Sequence, residues 1–470
     1  MPDSPNGSGS PYFRICKKAA SRSFRFTIDT VMTTRCLSIL QVDAPHVLTN
    51  HKHYASRMGY QHAVISTGGI QSPSHRLLLK YEAILHHLRT MQDMALLVCM
   101  SEDCLVLNMH PVEPMAEGRQ HLLMALPGID DPRQTAVQVW RNTLDIHNLI
   151  TYCIEECKIS QAAQDERVML SGLDAIEPFG ERGGFMCTMV CNPRMQPEYW
   201  SRRRNLWTIV LYEEALYGFV PSSFRETLAE HLNDVQQKGA PLLQFPHTAA
   251  IPDEEYSVFN PGKPIALVTY YTPNVRDYGA VGELNMRRYC ERHGYTLYVY
   301  RQTPAEVGPD TTGTWLKPWF LRKHLPDHEW AIWVDADILF FDQRKPLEPL
   351  LDGRDILAAH DIGPWVINAG VLGFRRKPAT IAFVDEIHQH VSAAPDKSDT
   401  YANGGDQTII AKLLVDRLGW ELKHGLDCMT INTPWYFQQA DSLMVHYMAI
   451  ATALRGMQMA AQDRASLQLG

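Results

Sequence analysis

At 470 residues the chain is too long for one ordinary core, and two or three domains are expected. Its 45 % hydrophobic and 20 % charged residues describe a globular protein and exclude a mainly disordered or fibrous one. The formal net charge of −8 argues against a nucleic-acid partner, which needs a concentrated basic face, and the local cluster Arg202-Arg203-Arg204 reads as a solvated helix face.

Residues 1–36 open with a Ser-, Gly- and Pro-rich stretch that reads as a disordered tail. That stretch has no apolar core of the kind a secretory signal carries. No segment approaches the roughly 18–20 apolar residues of a membrane-spanning helix. The ten cysteines contain no Cys-x-x-Cys pair, so zinc and redox motifs are unsupported and a reducing cytoplasm fits best. Peripheral contact at an inner membrane face is compatible with this.

The sequence repeats itself. Asn50-x-x-x-Tyr54-x-x-x-x-Gly59-Tyr60 recurs with identical spacing as Asn285-x-x-x-Tyr289-x-x-x-x-Gly294-Tyr295. Lys80 opens an apolar helical run that leads to ALLVCMSEDCLVLN and PVEPM, as Lys317 opens one that leads to WAIWVDADILFFD and PLEPL. A third pairing sets residues 173–193 against 359–378. Two similar α/β domains follow, 37–235 and 264–460, with mostly parallel sheets covered on both faces. A Pro-rich linker at 236–263 joins them, and 461–470 is a C-terminal tail. In the second domain strands are expected at 265–271, 296–300, 330–335 and near 370–375. Helices are expected near 278–292, 316–325, 379–391 and 404–418.

Ligands of open α/β sheets bind outside the carboxyl ends of the strands. Asp335-Ala336-Asp337 falls there, interrupting an apolar run that resumes as ILFF. Side chains at i and i+2 of an extended chain share a side, and two carboxylates so placed can share one divalent cation and, through it, a diphosphate. Left unpaired against apolar sequence they would repel.

These residues resemble a GT-A glycosyltransferase, most closely the galactosyl/mannosyltransferase family of retaining α-glycosyltransferases. The features that carry the likeness lie within 264–460: TYYTPN after the first strand, Lys317 ahead of WVDAD, Ile367-Asn368-Ala369-Gly370-Val371, Gly404-Gly405-Asp406-Gln407 and Val445-His446-Tyr447. The resemblance implies a nucleotide-diphospho-sugar transferase fold in both domains. It implies Asp335, Asp337 and His446 as ligands of Mn²⁺ or Mg²⁺, with Asp335 also meeting the nucleotide. It implies Thr269, Tyr271, Asn274, Lys317, Gly370 and Gln407 on the donor side, and Asn368 and Asp406 beside the transferred sugar. Asp406 also reads as a helix N-cap and Tyr271 as core. The family's small Gly close behind the His is absent, since Met448-Ala449 follow His446.

The implied activity is metal-dependent transfer of a hexose or pentose, with retention, from a UDP- or GDP-sugar to a glycan or lipid-linked saccharide. The first domain sets Ser101-Glu102-Asp103 against Asp335-Ala336-Asp337 and Arg182-Gly183-Gly184 against Asn368-Ala369-Gly370, so it reads as a degenerate copy that scaffolds or binds acceptor. A nucleotidyltransferase is disfavoured because TYYTPNVRDYG lacks a Gly-rich basic loop. A non-catalytic sugar-binding scaffold is disfavoured because only one copy has lost its acidic pair.

Overall fold

The computed structural model of the chain describes residues 34–125, 133–159, 166–176, 180–191, 205–211, 222–240, 251–307, 313–363, 365–397 and 405–469. Arg202-Arg203-Arg204, Gly404 and residues 1–33 of the expected tail lie outside them. The chain divides into two compact units, residues 1–191 with 203–212 and residues 192–202 with 213–470.

In the first unit, β1 (Arg35–Leu40), β2 (Gln61–Ser66), β3 (Leu96–Ser101), β5 (His121–Ala125) and β6 (Arg133–Arg141) form a sheet of order β2-β1-β3-β6-β5. β1 runs parallel to β2 and β3, while β6 runs antiparallel to β3 and β5. The run LLVCM of β3 is buried on both faces, as a central strand requires. Its alternate residues serve different layers. Leu96, Val98 and Met100 pack with Tyr54 and Ala55, whereas Leu97 and Cys99 pack with Tyr81, Ile84 and Leu88. The helices Pro45–Met58 and Pro73–Arg89 therefore cover opposite faces. A smaller sheet has the order β4-β9-β8-β7, from β4 (Cys104–Val106), β7 (Glu181–Arg182), β8 (Phe185–Cys191) and β9 (Leu206–Leu211).

The second unit repeats this order. β10 (Tyr256–Phe259), β11 (Ile265–Tyr270), β12 (Thr296–Tyr300), β13 (Trp330–Val334), β15 (Ile356–Ala359) and β16 (Asn368–Arg375) run in the order β10-β12-β11-β13-β16-β15. β11 is parallel to β12 and β13, and β16 is antiparallel to β13 and β15. β14 (Ile338–Phe340), β17 (Thr433–Pro434) and β18 (Met444–His446) make the small sheet, β14-β18-β17. Strand β13 again splits its side chains, Ile332 and Val334 toward Met286 and Tyr289, Ala331 and Trp333 toward Phe320 and Leu321. The mostly parallel α/β core expected from sequence is present in both units.

The repeated Asn-Tyr-Tyr spacing does the same work in each unit. Asn50 donates to Val106 O (3.1 Å) and accepts from Val106 N (2.7 Å), and Asn285 donates to Phe340 O (3.1 Å) and accepts from Phe340 N (2.7 Å). The Tyr54 and Tyr289 hydroxyls donate to the carbonyls of His110 and Lys345. Those of Tyr60 and Tyr295 donate to Glu113 and Glu348 and accept from Val112 N and Leu347 N. Gly59 and Gly294 end the preceding helices at φ of 73° and 72°, a left-handed conformation that glycine takes without strain.

The third sequence pairing is corrected. Residues 185–191 lie in the small sheet, parallel to β9, while β16 lies in the main sheet, antiparallel to β13. The strand in the place of β16 is β6: Met100 pairs with Val137 as Val334 pairs with Val371. Gln134-Thr135-Ala136, not Arg182-Gly183-Gly184, thus stands opposite Asn368-Ala369-Gly370. A Gly-rich turn before an apolar run looks alike in either sheet, and only the pairing tells them apart.

Strand β1 begins at Arg35, inside the expected tail, and β10 pairs antiparallel with β12 within the expected linker. The helix Thr452–Leu467 runs through the expected C-terminal tail, burying Leu454, Met457 and Met459 against the second unit. The helix Ser222–Lys238 groups with that unit too, its Phe224 fully buried beside Trp435. Among the described residues no helix is long and apolar enough to cross a membrane.

Asn285→Ala strands the buried backbone N–H and C=O of Phe340 together, so it lowers stability by about 3 kcal/mol, read as a shift in the urea midpoint. Stability also depends on pH. Burial, with Lys323 and His328 nearby, pushes the His324 ring down to about 3, and burial pushes His51 down to about 4. Both stay neutral in the folded protein while the unfolded chain takes up protons below about 6.5. Their contribution is whole above that pH and is lost as pH falls toward 4. The urea midpoint is therefore lower at pH 5 than at pH 7, and His51→Gln shows a shallower slope.

Candidate active site

Asp335 and Asp337 sit in the turn between β13 and β14. The backbone N–H of Asp335 donates to Gly370 O (2.8 Å), and Ile338 N–H closes the turn onto Asp335 O (3.1 Å). Pairing of β14 with β18 sets Ile338 opposite His446, which brings the imidazole to the carboxylates. One ligand atom from each of Asp335, Asp337 and His446 lies within 4.8 Å of the others, and His446 Nε2 is 3.4 Å from Asp337 Oδ1. A neutral imidazole with two carboxylates suits a hard divalent cation whose remaining positions are filled by oxygen. The donor set fits Mn²⁺ or Mg²⁺.

Two glycines make this convergence possible. A Cβ on Gly370 would stand 2.6 Å from His446 Cε1 and 2.8 Å from Asn432 Oδ1. Gly370, assigned from sequence to the donor side, is thus what clears space for the imidazole. A Cβ on Gly282 would stand 2.3 Å from Ala336 O, so this glycine lets the helix Arg276–His293 press against the aspartate turn. Sequence reasoning missed Gly282. The signal was two glycines, Gly279 and Gly282, inside an 18-residue helix.

Two cations face the carboxylates. Lys317 Nζ is buried, 3.2 Å from Asp335 Oδ1 and 3.9 Å from Asp406 Oδ2, and it donates to Ala369 O at 3.1 Å. Burial pushes Lys317 down, but Asp335 and Asp406 more than reverse this, and its pKa rises above the ordinary lysine value. Trp333 Nε1 donates to Asp335 Oδ1 (2.6 Å). On the other side Arg455 Nη1 pairs with Asp337 Oδ2 at 2.8 Å, and its guanidinium lies 4.7 Å from the centre of the Tyr278 ring. Burial pushes the Asp337 carboxyl up, but Arg455 and His446 outweigh it and hold it well below the usual carboxylate range. Arg455 was missed because it lies nine positions beyond His446, on a helix whose packing no local motif announces.

The remaining expected residues divide into two groups. Asn368 begins β16 beside the site: its amide donates to Asp361 Oδ2 (2.8 Å), its Oδ1 accepts from Gly370 N, and its backbone carbonyl accepts from Asn432. Gln407 Oε1 accepts from Ala369 N (2.8 Å), which fixes the strand to the helix Asp406–Leu418. Asp406 is the first helical residue and faces Lys317, while Gly405 holds the N-cap position.

Thr269, Tyr271 and Asn274 form the other group. Thr269 is buried on β11. The Tyr271 hydroxyl donates to Glu283 (2.6 Å) within a buried network that includes Arg301, so Tyr271 belongs to the core. Asn274 accepts from Thr272 in an exposed turn. Among the described residues none of the three hydrogen-bonds to Asp335, Asp337 or His446.

Gly370→Ala drives a methyl group into the His446 ring. We expect a folded protein whose affinity for Mn²⁺ falls at least tenfold, measured by calorimetry, with circular dichroism unchanged.

Residues 283–362 match the galactosyl transferase GMA12/MNN10 family. The matched segment contains Lys317, Asp335 and Asp337 and ends before Asn368, Asp406 and His446. No curated protein matches the chain. Among solved structures, a glycosyltransferase involved in the glycosylation of the major capsid of PBCV-1 shares 20 % identity over 42 % of this chain and 98 % of its own, with a TM-score of 0.33. The galactosyltransferase LgtC, in complex with donor and acceptor sugar analogs, shares 14 % identity over 39 % of this chain and 87 % of its own, with a TM-score of 0.26. Residues 283–362, within the second unit, are thus similar to the galactosyl transferase GMA12/MNN10 family.

Proposed function

We propose that the protein is a divalent-metal-dependent glycosyltransferase. It takes a hexose or pentose from a UDP- or GDP-sugar and passes it, with retention, to a hydroxyl of a glycan or lipid-linked saccharide. The observation that carries this reading is the convergence of Asp335, Asp337 and His446 at the end of a buried strand, the two aspartates lying within the segment that matches the galactosyl transferase family.

Asp335, Asp337 and His446 would hold the cation, which when bound supplies neutralising charge to the diphosphate leaving group. Lys317 and Arg455 flank the two aspartates with fixed positive charge, so the donor phosphates meet a site that is not purely acidic. Arg455 is within reach of the same space, and its exchange of Asp337 for a phosphate oxygen would keep a charged hydrogen bond throughout. Asp406 lies one lysine away from Asp335, which supports its place beside the transferred sugar. Asn368 is braced by Asp361 and Asn432, so its position is set before any ligand arrives. Retention is carried over from the family resemblance and needs no dedicated base if the leaving phosphate accepts the proton of the acceptor hydroxyl. Nine free cysteines among the described residues, eight of them buried, agree with the proposed reducing, cytoplasmic setting.

Calorimetric titration of UDP and of GDP, with Mn²⁺ and then with EDTA, tests this reading. One nucleotide should bind only with the metal, and Asp337→Asn should weaken it at least tenfold. Failure of both nucleotides to bind the folded protein would overturn the proposal.

A further inference from the structure

Strand register shows what the first unit has made of each position in the site. Ser101 and Asp103 stand in the places of Asp335 and Asp337. Cys104 pairs with Val210 as Ile338 pairs with His446, so a valine replaces the imidazole. One carboxylate remains at the three positions, so the set of two carboxylates and an imidazole is not repeated here.

The neighbouring polar positions are kept. Lys80 occupies the place of Lys317 and reaches Thr135 O at 3.4 Å, as Lys317 reaches Ala369 O. Glu166, which begins the short helix Glu166–Met169, faces Lys80 at 2.7 Å, as Asp406 faces Lys317. The carboxylate is also fixed by the Tyr81 hydroxyl (2.8 Å) and the Gln138 amide (2.9 Å). Here the chain leaves a cleft of about 160 Å³ at the carboxyl ends of β1 and β3, lined by Gln41, Arg76, Lys80, Ser101, Thr135 and Glu166. Arg76 spends Nη1 on the carbonyls of Ile70 and Gln71 and has no carboxylate partner among the described residues.

We infer that this cleft is a metal-independent binding site for a single pyranose unit of a glycan. The inference rests on the proposed reading, in which Lys317 and Asp406 flank the transferred sugar. At about 160 Å³ the cleft suits a single ring-sized ligand, and it opens to solvent, so the rest of a glycan can extend from it. Its lining also carries Ile39 and Leu77, and a pyranose presents an apolar face and a rim of hydroxyls. Glu166 accepts from hydroxyls, while the amide of Gln41 and the guanidinium of Arg76 serve the other edge. The first unit thereby holds part of a glycan without breaking a bond in it.

The test is saturation-transfer NMR and calorimetry of methyl gluco-, manno- and galactopyranosides with the full-length protein in EDTA. At least one should bind, with affinity unchanged in Asp337→Asn and at least tenfold weaker in Ser101→Phe and in Thr135→Phe, both of which fill the cleft and leave the Lys80–Glu166 pair in place. Circular dichroism and Mn²⁺-dependent nucleotide binding, measured on the same variants, report whether they remain folded. Absence of pyranoside binding in EDTA, or binding that survives both filling variants, overturns the inference. Loss of nucleotide binding alone, with pyranoside binding intact, overturns the proposed transferase and leaves this site standing.

Discussion

Two negative charges at the end of a wholly buried strand are the constraint around which the second unit is arranged. Asp335 and Asp337 follow WAIWV, every residue of which is buried, and carboxylates so close to a low-dielectric core are costly unless neutralised. Lys317 answers one and Arg455 the other. The two cations come from opposite sides of the turn, one from the helix before β13 and one from the helix after β18. The charge requirement therefore ties together segments more than a hundred residues apart in sequence.

The turn itself is held by neutral contacts that owe nothing to the ligand. Asn285 satisfies both polar groups of Phe340, and Tyr295 and Glu348 pin the segment that follows. Gly282 brings a helix backbone against Ala336, and Gly370 leaves room for His446. The first unit keeps the Asn and Tyr contacts, yet carries serine and valine where the second has Asp335 and His446. Packing and ligation are separable in this architecture: the scaffold contacts are buried backbone hydrogen bonds, costly to lose in either unit, whereas the three ligand positions carry different residues in the first unit and the sheet is kept.

Some of this was legible from residues alone. The period of Asn, Tyr, Gly and Tyr marked two equivalent helices, and apolar runs bounded by turn residues placed the second-unit strands within a residue or two of where they lie. Asp335-Ala336-Asp337 stood out because charge interrupts an apolar run. Other features were not legible. Residues 173–193 were set against the wrong strand because a Gly-rich turn before an apolar stretch has no address of its own. Arg455 carried no local signature. Tyr271, next to a strand end, looked equally suited to ligand or core, and Glu283 settled it as core.

The sequence by itself determined which segments become strands and helices, since periodicity, glycine caps and buried runs act within a few residues. It also determined which short stretch bears the acidic pair. The tertiary structure decided what surrounds that pair: the pairing of β14 with β18 that delivers His446, the helix that brings Arg455, and the close approaches that require Gly282 and Gly370. Those are distances between residues remote in the chain. They exist only once sheet order and register are fixed, because a shift of one residue in β18 would turn His446 to the opposite face.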